Sequence, residues 1–185
     1  MKTIPLVRAA LLLPFTHFLD QIGAPTERLL GRNNLSAALL ADPEGLIPLL
    51  PSAAFLEAAT SLEGFDNLGI LVGQQTQVAH LGEFGRLLHS ALTPFDCLIT
   101  LERTINLLNS GERVRLVWQP DGVWLQSHLF AFERDAACQA RCFSLMVYLN
   151  LLQFIFGPNW QPLAIQLAVA PLPLWLTKHA LQGYR

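Results

Sequence analysis

The chain has 185 residues, of which 52% are apolar and only 14% charged, with a net charge of −2 and a pI of about 6.2. Apolar content this high excludes a disordered chain. The absence of any Lys/Arg run argues against unaided binding to nucleic acid, which needs a basic stripe to displace counterions from phosphates.

The predicted elements run as follows. Thr3 caps a first helix over 3–21, with Pro5 in its first turn and a bend at Pro14; Gly23 and Pro25 stop it. A short helix over "TERLLGRNN" closes at Gly31. "ADPEGLIPLLP" is punctuated by four breakers, Pro43, Gly45, Pro48 and Pro51, and reads as a loop with short turns. "SAAFLEAATSL" and "DNLGILVGQQT" read as helices, and the segment 81–111 as two helices broken at Thr93–Pro94.

The period then changes to two. "ERVRLVWQPDGVWLQSHLF" alternates across "QPDG", a strong turn signal. A two-residue turn at Pro120 and Asp121 pairs Trp118 with Val123, Leu116 with Leu125, and Val114 with Ser127. Val114, Leu116, Trp118, Val123, Leu125 and Leu129 then form a face to be buried. The opposite face, with Trp124 and His128, is amphiphilic and could meet solvent or another subunit. A long helix over 135–156 follows, ended by Gly157–Pro158; a strand over 163–169 and a last helix complete the chain. The predicted class is α+β: predominantly helical with a small, mostly antiparallel sheet, made of the hairpin 112–130 and the strand 163–169. Residues 1–185 read as a single domain.

The long helix carries the greasiest stretch, "RCFSLMVYLNLLQFIF". It is too short for a bilayer span of about 20 apolar residues, and Ser144, Asn150 and Gln153 interrupt it. Projected at about 100° per residue, Cys142, Leu145 and Leu149 share one arc and Phe143, Val147, Leu151 and Phe154 a nearly opposite one. A helix apolar on two opposite sides is sandwiched between two layers. Narrow stripes lie between the arcs, one with Gln139, Met146, Asn150 and Gln153, the other with Arg141, Ser144 and Tyr148. A buried amide needs partners. Asn150 therefore either bonds to neighbouring backbone or water, or faces a cavity with Gln139 and orients a small ligand against Met146 and Phe143. The second reading gives the ligand-binding set Phe143, Met146, Asn150, Gln139, Phe154 and Trp118. It expects Asn150→Leu to abolish effector response at near wild-type stability; the first expects the reverse. No buried carboxylate stands out as a partner for a cation, which disfavours a simple amine as ligand.

Catalytic motifs are absent. "GILVG" and "LGEFG" lack the spacing and the Lys-Ser/Thr of a phosphate loop, and no His-Glu-x-x-His or Gly-x-Ser-x-Gly occurs. The five histidines are scattered. Three cysteines, Cys97, Cys138 and Cys142, are too few and too odd for a disulfide framework, and the 138/142 pair lacks further ligands for a metal. No cofactor, metal or catalytic residue is expected. The N-terminus starts like a signal peptide, but Arg8, Pro14, His17 and Asp20 interrupt it and no cleavage site follows, so a cytoplasmic location is expected.

Three stretches in order carry a resemblance: "LADPEGLIPLLPSAAFLEAAT", "RLLHSALTPFDCLITLERTINLLNSGERVRLVWQPDGVWLQ" and "FGPNWQPLAIQLAVAPLP". Together they resemble the N-terminal, arabinose-binding-domain-like sensor module of AraC/XylS-type transcription regulators, in the branch of the ornithine-responsive regulators. The resemblance implies effector binding, homodimerisation, and a helix-turn-helix DNA-binding domain expected beyond Arg185. It brings no ligand motif with it. The expected partners are an apolar or amphiphilic small-molecule effector, a second copy of the chain, and DNA only through that further domain, with no membrane. The alternatives are a dimerisation module with a filled core and no ligand, and an enzyme whose site is assembled only in three dimensions.

Overall fold

The computed structural model describes residues 4–132 and 137–166. Strand β1 (Leu6–Arg8) leads through a 3₁₀ turn (Ala9–Leu11) into helix α1 (Leu13–Gln21). This corrects the single bent helix expected over 3–21. Pro14 sits in the first turn of α1, where its missing N–H costs nothing, rather than kinking an interior. The residues before it are drawn into extended structure by partners on both sides. β1 pairs antiparallel with β2 (Leu46–Pro48), Val7 opposite Ile47, and Leu6 exchanges bonds with the Ser110 hydroxyl and backbone. The stretch expected as a loop thus contributes a strand whose Ile47 is fully buried.

Helix α2 (Thr26–Arg32) runs past Gly31, and the chain reverses at Asn34, which takes a left-handed backbone. Helices α3 (Leu49–Glu63), α4 (Leu68–Gln75) and α5 (Gly82–His89) follow. α6 (Pro94–Leu108) starts where expected: Pro94 occupies its first position, and the Thr93 hydroxyl accepts the Asp96 N–H at 3.1 Å.

β3 (Glu112–Gln119) and β4 (Gly122–Leu129) form the expected hairpin in the expected register, with Trp118 opposite Val123, Leu116 opposite Leu125 and Val114 opposite Ser127. β3 folds back along α6, and Glu102 of α6 accepts the Leu116 N–H at 3.0 Å. The expected burial of one whole hairpin face needs correction. Val114 and Leu129 at the base are buried and Leu116 and Leu125 half-buried, while Trp118 is 58% exposed and Val123 42%. The hairpin outruns its support: at the tip, Trp118 meets Phe95 at the very start of α6, ring centroids 5.8 Å apart.

Helix α7 (Cys138–Phe156) ends at Gly157, whose φ of 101° suits glycine. Its residues reach both layers, as the two apolar arcs require. Phe143, Val147 and Leu151 join the main core with Phe15, Phe55 and Leu101; Cys142, Met146 and Leu149 form a second cluster with Ile70. The architecture is α+β, predominantly helical, with two small antiparallel sheets. Of the strand expected over 163–169, residues 163–166 carry no strand pairing and 167–169 lie outside the described residues, as does the last helix.

Candidate functional site

Two faces of α7 organise the site. The first meets α4. Gly69 and Gly73, four apart on one side of α4, remove the side chains that would hold the helices off. A Cβ on Gly69 would lie 2.1 Å from the Gln139 carbonyl oxygen, and one on Gly73 would lie 2.6 Å from the Met146 Cβ. The amides of α7 stitch this contact at both ends. The Gln139 side chain, 4% exposed, accepts the Gly69 N–H at 2.8 Å and donates to the Asp66 carbonyl at 2.9 Å. Asn150 Nδ2 donates to the carbonyls of Gly73 and Thr76, each at 2.9 Å, where α4 ends. Asn150→Leu is therefore expected to lower unfolding free energy by about 1–2 kcal/mol, since two carbonyls lose a donor. A urea midpoint equal to wild type would contradict it.

The second face borders a cavity beneath α7. It is lined by α5, α6 and α7 residues, among them Leu88, Leu101, Phe143, Val147 and Leu151. Three polar side chains also line it: Ser144, Tyr148 and Glu112. Only about 20 Å³ is open to the centre of a water-sized sphere, room for roughly one water. Its polar end is built by the turn after α6. Asn109 Oδ1 accepts the Gly111 N–H at 3.0 Å, and its Nδ2 faces Glu112 Oε2 at 3.3 Å. Glu112 Oε1 accepts from Ser127 of β4 at 2.6 Å and from the Tyr148 hydroxyl at 2.5 Å.

Glu112 is 2% exposed, a buried carboxylate where none stands out in the sequence as a partner for a cation. Burial pushes its carboxyl above the ordinary range, against the pull of its three donors, and burial together with Glu112 pushes the Tyr148 phenol well up. An acid whose pKa is raised on folding contributes stability that is complete below its unfolded value, near 4.5, and is lost as pH rises through the folded value. The stability of wild type minus that of Glu112→Gln, from urea titrations at successive pH, is expected to fall as pH rises above 4.5. A difference that stays level or grows would be the contrary result.

The residues read from sequence as ligand-binding are thus distributed. Phe143 lines the cavity and packs on Phe15, centroids 4.7 Å apart. Gln139, Met146 and Asn150 face α4. Phe154 is half exposed and packs against His89, centroids 4.1 Å apart, and Trp118 stands at the hairpin tip. Sequence reasoning missed Glu112, although its register partner is Leu129, on the face read as buried. It also missed the Gly69/Gly73 pair.

Among the described residues no helix is long and apolar enough to cross a membrane, and no three His, Cys, Asp or Glu side chains are grouped to hold a metal. No curated protein matches the chain. A family model described as the N-terminal arabinose-binding domain of AraC transcription regulators matches residues 23–181. A match over most of the chain settles the class: this chain belongs to the arabinose-binding-domain family of AraC/XylS-type transcription regulators, as a non-catalytic effector-sensing or dimerisation domain.

Proposed function

We propose that this domain senses a small-molecule effector in the cavity beneath α7, and that the effector is apolar or amphiphilic. The observation that carries the reading is a cavity with an apolar wall that includes Leu88 and Leu151 and with three polar lining groups, Ser144 and the hydrogen-bonded pair Glu112 and Tyr148. Apolar walls with a few placed polar groups are how small-molecule sites combine affinity with orientation. Such a lining offers few partners to the many hydroxyls of a sugar. Of the residues singled out in the sequence, Phe143 is the one we assign to ligand contact; Gln139, Met146 and Asn150 position α7 against α4.

The cavity is water-sized, so the effector binds a state in which α7 and the α5–α6 pair stand further apart. Its preference for that state shifts the population. Because Tyr148 and Glu112 tie α7 to the hairpin, the shift reaches the hairpin. In the intact regulator we propose that it is relayed to a helix-turn-helix domain that reads promoter DNA, in a cytoplasmic homodimer. The family's description as the N-terminal part of a transcription regulator supports this, and the run from Gly157 to Trp160 supports the ornithine-regulator branch.

The test is thermal unfolding of the chain against amines, amino acids, sugars, aromatics and fatty acids. A ligand at about a hundred times its dissociation constant adds roughly 2.7 kcal/mol, on the order of 5–10 °C for a domain of this size. A selective rise is expected; a flat result across every class would remove the sensor reading. Exposed apolar side chains favour a second reading, a dimerisation face at the hairpin tip: Trp118 and Phe95, in contact with each other, are 58% and 55% exposed. A strictly monomeric species at high concentration in light scattering would count against it.

A further inference from the structure

Glu112 is a buried carboxylate with no cationic partner among the described residues. Its three partners, Ser127, Tyr148 and Asn109, are neutral donors. The ion pairs Arg8–Glu44 and Arg86–Glu83 involve other residues, and no described residue lining the cavity is Lys, Arg or His. A charge taken out of water is costly unless an opposite charge meets it. A carboxylate in this setting either keeps its proton or is completed by a cation brought from outside. The cavity that Glu112 lines has room for about one water, and an ammonium group is of that size. An ammonium has three donors and no acceptor. It fits a pocket end whose acceptor is a carboxylate already positioned from three sides.

Resting on the sensor reading above, we propose that Glu112 is the recognition group of the cavity and that the effector carries a primary ammonium on an apolar chain. The ammonium sits against Glu112, and the chain lies along Val147 and Leu151 between α7 and the α5–α6 pair. Among the described residues the lining has no basic group to receive a carboxylate, so any acidic end of the ligand stays outside. Binding also has a structural consequence. Glu112 Oε1 is shared by Tyr148 of α7 and Ser127 of β4. An ammonium competing for that oxygen loosens the tie between helix and hairpin, which gives the effector a preference between two arrangements of the domain.

The experiment is calorimetric titration of the chain with n-hexylammonium chloride, 1-hexanol and sodium hexanoate, on wild type, Glu112→Gln and Tyr148→Phe. Saturable binding of hexylammonium is expected, with hexanol and hexanoate at least tenfold weaker. Glu112→Gln is expected to weaken hexylammonium at least tenfold and leave hexanol unchanged. Should that variant fail to fold, Tyr148→Phe still decides. It removes a competing donor from the carboxylate and is expected to tighten hexylammonium several-fold. Hexanol or hexanoate binding as well as the amine, undiminished binding to Glu112→Gln, or weaker binding to Tyr148→Phe would overturn the assignment of Glu112. Saturable binding of any neutral or anionic compound in the cavity would leave the sensor reading standing without it. Binding of no compound of any class would remove both.

Discussion

Gly69→Ala is expected to cost about 3 kcal/mol or more of unfolding free energy. The reason is the identity of the atom it meets. At 2.1 Å the new Cβ would overlap the backbone carbonyl oxygen of Gln139, with the carbonyl carbon at 2.9 Å. A flexible side chain could swing aside; a carbonyl inside α7 moves only with its helix. Overpacking of this kind costs roughly 1–3 kcal/mol and more where backbone must shift. Displacing α7 would also pull Gln139 from the Gly69 N–H and Asp66 carbonyl that it bridges. By the size scaling of unfolding entropy, a loss of about 3 kcal/mol lowers the midpoint by roughly 6–12 °C. Gly31→Ala is the control. It too lies in a helix, but nothing stands within 4 Å of its added Cβ, so helix propensity predicts a gain of about 0.5–1 kcal/mol. Equal effects at the two positions would show that α4 and α7 do not approach as described.

Glu112→Leu is expected to cost on the order of 3 kcal/mol, with part of it recovered when Tyr148→Phe is added. The single substitution strands the Tyr148 hydroxyl and the Asn109 amide in an apolar setting, and each buried unsatisfied donor costs about 1–3 kcal/mol. Ser127 is exposed and can turn to water. Removing both the carboxylate and the hydroxyl leaves an apolar contact between hairpin and helix, which is far less costly than half a network. Urea denaturation of the two single variants and the double variant forms a cycle. A coupling of about 1 kcal/mol or more is expected between residues that share so short a bond. Strict additivity would mean that Glu112 and Tyr148 do not act as a unit.

Local chemistry marked some elements plainly. Thr93–Pro94 announced the start of α6, "QPDG" fixed the hairpin register, and Gly157–Pro158 marked the end of α7, because each works through bonds or φ angles within a few residues. The failures were long-range. β1 and β2 are three residues each, too short for period-two alternation, and they exist because they bind each other and Ser110, about a hundred residues from Leu6. The reach of α6 decides which hairpin residues are covered, and nothing in the alternation of β3 encodes it. In α7 the two apolar arcs were legible, but the wheel could not say which polar stripe meets a helix and which a cavity. The stripe with Gln139 and Asn150 meets α4, drawn there by Gly69 and Gly73, whose spacing was visible in "GILVG". The stripe with Ser144 and Tyr148 borders the cavity. Glu112 opens β3, and its register beside Leu129 places it on the inward face.

The central claim is that the effector lodges between α7 and the α5–α6 pair. Methyl-labelled spectra of the chain, titrated with the compound that raises its unfolding midpoint most, address it directly. The account predicts saturable shifts at Leu88, Leu101, Ile105, Val147 and Leu151, the apolar lining of the cavity. Shifts confined to Leu92 and Val123 on the exposed surface, with the cavity methyls unmoved, would contradict it.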